Sequence, residues 1–139
     1  MKKIAVIDGL GGGLGSQIVS GINNVITGRE IEIIALGTNS GATTRMIKAG
    51  ADKGATGTNA IKVMAGQVDI IVGPIGIMIP DSMLGEISPF IVSALVASGA
   101  RKVLLPIQQT HLTLVGLRQL PMKDLIQEAV KKVEEFLAD

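Results

Sequence analysis

The chain has 139 residues, enough for one domain with a true core, and a formal net charge of +1 with no basic block. It holds two Phe, no Trp and no Tyr, so neither the electrostatic footprint nor the stacking surface of a nucleic-acid binder is present. Cysteine is absent and His111 is the sole histidine, which removes disulfides, thiolate chemistry and multi-histidine metal sites. No apolar run approaches the ~20 residues of a membrane span, and Ile4–Ile7 is too short for a signal-peptide core. A cytoplasmic protein without nucleic-acid or membrane partners is expected.

A first strand is expected at Lys3–Asp8, running into the glycine-rich turn Gly9–Gly15. The next helix, about Gly13 to Ile26, carries Leu14, Ile18, Ile22 and Val25 or Ile26 on one face and ends near Gly28. Ile31–Leu36 reads as a strand buried on both faces. Residues 37–41 lead into a short helix ending near Ala49, with Gly50 beyond it. Lys53–Thr56 reads as a weak third strand, and Thr58 as the N-cap of a short helix ended by Gly66. Val68–Gly73 is a fourth, buried strand. The connection from Pro74 to Ile87 is long for a compact fold, and such loops tend to be functional.

Ser88 and Pro89 read as the N-cap and first residue of a helix whose body, Phe90–Ala97, is apolar on nearly every face. Such a helix needs a second covering surface, so a homo-oligomer built on Phe90–Ala97 and the Ile75–Met83 loop is expected. Val103–Ile107 is the fifth strand. His111–Gly116 alternates like a sixth and follows too closely for a parallel crossover, so it should pair antiparallel. The last helix, Met122–Leu137, has a one-sided apolar stripe and reads as scaffold.

The alternation predicts an α/β fold over residues 1–139: a three-layer Rossmann-like sandwich. Its sheet should be mostly parallel, ordered 3-2-1-4-5, with strand six antiparallel at the edge. Ligands of such sheets bind at the carboxyl ends of strands one and four, where Gly9–Gly15, Gly73, Pro74 and the loop after strand two converge.

Strand, glycine turn and helix in that order form a phosphate-binding opening, because glycine backbone admits a pyrophosphate and a helix N-terminus offers free N–H groups. Gly9, Gly11, Gly12, Gly13 and Gly15 are the candidate ligand-binding glycines. The G-x-G-x-x-G spacing fails at Leu14, whereas Gly9, Gly13 and Gly15 give G-x-x-x-G-x-G, which resembles the short-chain dehydrogenase turn. No Lys follows as in a P-loop, and without Tyr the Tyr-x-x-x-Lys pair of those dehydrogenases cannot exist. Asp8 repels phosphate unless compensated. It either accepts hydrogen bonds from the turn or holds Mg²⁺ against a phosphate.

No acid stands at Gly37–Asn39 to receive ribose hydroxyls. Thr38, Asn39, Ser40 and Arg45 instead suit a 2′-phosphate, favouring NADP over NAD if a dinucleotide binds; the plainer alternative is that Asn39 or Ser40 only caps a helix. Asp8, Asp81, Glu86 and His111 are the candidate catalytic residues, the three acids also as a joint acidic or metal-binding cluster, although loop acids are more often solvated and a lone histidine structural. No resident metal is expected.

The stretches Ile4–Gly9, Gly11–Gly13, Glu32–Asn39, Lys48–Ala51, Gly54–Gly57, Asn59–Ala60, Val68–Pro74 and Ser82–Glu86 resemble a family of small bacterial proteins known as domain of unknown function 3842. The resemblance covers nearly the whole chain and implies a Rossmann-like fold, with no reaction to carry over. The chain departs from the family's pattern at Leu10, where members have Gln, and at 108–111, where they have an Asn-Arg-Cys-Asn-like stretch.

Three functions are compatible with these residues: a small sensor or accessory module binding a nucleotide or another phosphorylated ligand, a small NADP-dependent or metal-assisted enzyme whose site is completed across a dimer, or a structural oligomer with a vestigial glycine turn. Whether the chain is an enzyme at all is open from sequence alone.

Overall fold

The structure is a computed structural model that describes residues 1–107 and 111–139. It forms five strands and five α-helices in the order β1 (Lys2–Asp8), α1 (Gly13–Val25), β2 (Ile31–Gly37), α2 (Ser40–Lys48), β3 (Lys53–Thr56), α3 (Thr58–Ala65), β4 (Ile70–Pro74), α4 (Pro89–Ala97), β5 (Arg101–Leu105) and α5 (Met122–Leu137). A 3-10 turn, Ile75–Met78, follows β4. The strands make one parallel sheet ordered β3-β2-β1-β4-β5.

Side-chain alternation along the central strands divides the core in two. Ile4 and Val6 point to the face covered by α1, α2 and α5, where they join Ile18, Ile22, Met46, Val130 and Val133. Ala5 and Ile7 point to the face covered by α3 and α4, joining Ile61, Ile77, Ile87, Ile91 and Leu95. All seven of these residues on the second face except Ala5 are large aliphatics, and Ile77 and Ile87 come from the long connection after β4. Its apolar residues are thus largely spent inside this chain's own core. Among the described residues no helix is long and apolar enough to cross a membrane.

Three local expectations change. β5 lies at Arg101–Leu105, two residues earlier than its apolar run suggested, because Pro106 has no N–H for the ladder. The antiparallel sixth strand at His111–Gly116 is not formed; among its residues only Leu112 carries an isolated bridge, and all are exposed. Ile107 N donates to Leu105 O at 2.8 Å, a tight bend about Pro106 that takes the chain out of line with β5, and Gly116 sits at φ +88°. Gln108, Gln109 and Thr110, including most of the 108–111 departure, lie outside the described residues. Finally, Gly57, at φ +101°, takes the cap position of α3, and Thr58 is its first residue.

Candidate functional site

Parallel pairing brings the ends of β1 and β2 level, Asp8 beside Gly37, and Thr38 N continues the pairing by donating to Asp8 O at 3.1 Å. The Gly9–Gly13 turn therefore rises next to the β2–α2 loop, as the sheet order requires. Asp8 anchors the turn from below. Its Oδ1 accepts from Gly9 N at 2.8 Å and its Oδ2 from Gly15 N at 2.7 Å. One buried carboxylate thus satisfies an amide at each end of the turn, standing in for the side-chain cap that Gly12 cannot give α1. Burial pushes the Asp8 carboxyl above its ordinary range. The Gly15 and Gly9 amides oppose that rise, the Glu86 charge adds to it and Arg45 opposes it.

The five turn glycines separate into two groups. A Cβ at Gly15 would fall 2.6 Å from Met46 Sδ and 2.8 Å from Asp8 Cβ, so glycine is needed for α1 to approach β1 and α2. Gly12, at φ +73°, lies against the Ala42 backbone, and Gly9 against Thr38, Met83 and Glu86. These three are buried and serve packing. Gly11 and Gly13 face outward, and the nearest atom to a Cβ at either is Arg45 Nη1, at 3.9 and 3.3 Å. The N–H groups of Gly11, Gly13 and Leu14 have no acceptor among the described residues. Arg45 is exposed over this face and makes one long contact, Nη1 to Gly11 O at 3.4 Å.

A carboxylate from far along the chain completes the corner. Glu86 Oε1 accepts from Leu10 N at 2.8 Å, from Asn39 Nδ2 at 3.0 Å and from the Thr38 hydroxyl. The Thr38 and Leu10 bonds, with Asn39 adding less, hold its carboxyl below the ordinary range against a smaller opposing effect of burial. Asn39 also donates to Leu10 O at 2.8 Å and caps α2 by accepting from Ala42 N at 2.9 Å. A carboxylate therefore stands at the end of β2 in space, although none stands there in sequence.

The other candidates separate. Gly73 and Pro74 are buried in β4, where a Cβ on Gly73 would strike the Ile7 carbonyl, so they shape the sheet edge from inside. Ser40 is the exposed first residue of α2. Asp81 and His111 are exposed, and no side-chain hydrogen bond joins either to the turn among the described residues. The alternative of a joint acidic cluster of Asp8, Asp81 and Glu86 is not assembled: Asp8 is buried under the turn while Asp81 is exposed, and no group of three or more His, Asp or Glu among the described residues is placed to hold a metal ion.

No curated protein sequence matches the chain. A crystal structure of a dodecameric FMN-dependent Ubix-like decarboxylase from Escherichia coli O157:H7 is similar at 16% identity and a TM-score of 0.42, covering 100% of this chain and 96% of that one. A likeness this loose carries nothing about ligand or activity. The sequence pattern of the family described as Domain of unknown function (DUF3842) matches residues 3–138, nearly the whole chain, and the protein belongs to that family.

Proposed function

We propose that this chain is a single-domain module that binds a nucleotide or another phosphorylated ligand at the glycine turn, as a sensor or accessory protein without chemistry of its own. One observation carries the reading: Gly11 and Gly13, whose N–H groups have no acceptor among the described residues, lie beside the Arg45 guanidinium at the start of α1. Free amides at a helix start and an adjacent cation both attract a phosphate. The preference for NADP depends on Glu86, whose carboxylate on Thr38 and Asn39 repels a 2′-phosphate while it stays there.

Titration calorimetry with ADP, ATP, GTP, NAD, NADP and flavin nucleotides at millimolar concentration tests the reading. Gly13→Val should abolish binding while leaving the fold intact, because only the exposed Arg45 side chain lies near that Cβ. Glu128→Ala, on the distant face of α5, should bind as wild type. Binding should weaken with salt but survive it, since fixed amides provide part of the attraction. No affinity for any of these nucleotides would leave the turn as a packing device.

We further propose self-association through α4. Ile91 and Leu95 are buried in the protomer, while Phe90 is 76% and Val96 62% exposed on the opposite face, with Leu84 standing out from the neighbouring loop at 95%. Covering such a face stabilises a complex by ~25 cal/mol per Å² before the costs of association. Light scattering should give a dimer or larger assembly at tens of micromolar and a monomer for the Phe90→Asp, Val96→Asp double variant. A wild-type monomer would remove the proposal.

A further inference from the structure

Four residues other than glycine adopt left-handed backbone among those described: Leu10 at φ +50°, Asp81 at +65°, Met83 at +56° and Leu84 at +56°. Such conformations are unfavourable for side-chain-bearing residues and persist only where the surroundings over-determine them. All four lie in two segments, the glycine turn and the loop 81–87, and Glu86 joins the two.

The loop is a compact unit. Its neck is closed by Asp81 N to Ile87 O at 2.7 Å and Ile87 N to Ser82 O at 3.2 Å, and Ile87 roots it in the core. Within it, Gly85 N bonds Ser82 O and Glu86 N bonds Met83 O. Beyond the neck, every hydrogen bond from residues 83–86 to another segment runs through one atom, Glu86 Oε1, to Leu10, Thr38 and Asn39. Glu86 Oε2 has no partner among the described residues. Three donors converging on one anionic oxygen would serve a phosphate oxygen equally well.

We infer that residues 81–87 form a strap latched across the glycine turn by Glu86, and that a phosphate-bearing ligand displaces Glu86 from Leu10, Thr38 and Asn39 and loosens the strap. The displacement rests on the ligand reading above; the latch does not. The contact is autoinhibitory, because the ligand must compete with an anion already tethered at the turn. Ser82 Oγ on Gly76 O and the packing of Met83 against the second core cluster keep the base of the strap in place, so opening the Glu86 junction relaxes the strained backbone at Leu10, Met83 and Leu84 without detaching the loop.

Hydrogen-exchange mass spectrometry on the full chain tests the latch without any ligand. Peptides covering 81–87 and 10–12 should exchange about tenfold faster in Glu86→Ala, and faster by a smaller factor in the isosteric Glu86→Gln, than in wild type, with the β1 and β4 amides unchanged. Equal exchange in all three proteins overturns the latch. Calorimetry with inorganic pyrophosphate tests the displacement: Glu86→Gln should bind about fivefold more tightly than wild type, the competitor's charge having been removed. Equal or weaker binding by the variant overturns the displacement while leaving the ligand reading standing. If neither protein binds pyrophosphate or nucleotides, the ligand reading and the displacement fall together, and the exchange rates alone decide the latch.

Discussion

The glycine-turn corner and the margin beyond β5 treat similar chain in opposite ways. At the corner, polar groups are matched inside the protein: Asp8 with two amides, Asn39 with Leu10 and Ala42, Glu86 with three donors. At the margin, Leu112, Leu114 and Leu117 are 45–54% exposed around an open cavity of about 640 Å³ bordered by Pro106, Ile107 and Leu125, and Val115 beside them is 95% exposed. Both stretches carry strong local patterns, a glycine motif in one and an apolar alternation in the other. The difference is partners. A pattern becomes structure where the fold brings complementary groups to it, and stays a pattern where the neighbouring edge has turned away.

The comparison breaks most completely at Gly15. Gly15→Val forces a side chain between Met46 and Asp8 and should destabilise the fold by about 3 kcal/mol, measured by urea unfolding. Gly99→Ala has open space and ordinary backbone, and should stay within ~0.5 kcal/mol of wild type. Equal effects would mean that the close approach of α1 to β1 is not the reason for glycine at 15.

A smaller effect sharpens the electrostatic side. Glu86→Gln should cost about 1 kcal/mol at neutral pH, the net worth of weakened charged hydrogen bonds at a half-exposed site. Because the Glu86 carboxyl is held below its ordinary value of 4.5, that stabilisation is complete above 4.5 and is lost as pH falls through the lowered value. Asp8 works the other way: its carboxyl is raised, mainly by burial, so its share of stability is present below its ordinary value and is lost as pH rises through the raised one. Arg45 faces this corner in both proteins, and the Glu86 charge lost in the variant is a lesser cause of the Asp8 rise than burial, so the gap between wild type and Glu86→Gln should close on acidification. A gap that is constant with pH would show that the Glu86 contacts act by shape alone.

The smallest effect is expected at the margin. Val115→Asp, at a 95% exposed position, should shift stability by less than ~0.5 kcal/mol. A loss of 2 kcal/mol or more would show that 111–117 is covered in solution, restoring to it the role of a strand with a partner.

Much of the fold was legible because β1, β2 and β4 are buried on both faces and their Ile- and Val-rich runs stand out from the amphipathic helices. Asn39 as a cap and Asp8 as a holder of the turn were readable from local chemistry. The Glu86 contacts were not, since Thr38 lies 48 residues away and nothing local specifies which loop acid folds back. The available signal was the loop itself: long, glycine-containing, and ending in an acid next to a buried isoleucine. The sixth strand failed for the complementary reason, as alternation says which face is apolar without saying what lies opposite.

The Asp8 carboxylate has a consequence for how this turn can vary. Its two oxygens grip the amides of residues 9 and 15, so one side chain closes the intervening backbone into a ring of fixed circumference. Within that ring the identity of an outward residue such as Leu10 or Gly11 is negotiable, but the count is not. Inserting or deleting one residue between 10 and 14 would turn one amide away from the carboxylate and rotate α1 by about 100° for the missing or extra residue. Ile18 and Ile22 would leave the core with it. Asp8 is thus a ruler for the turn, and length rather than composition is what it measures.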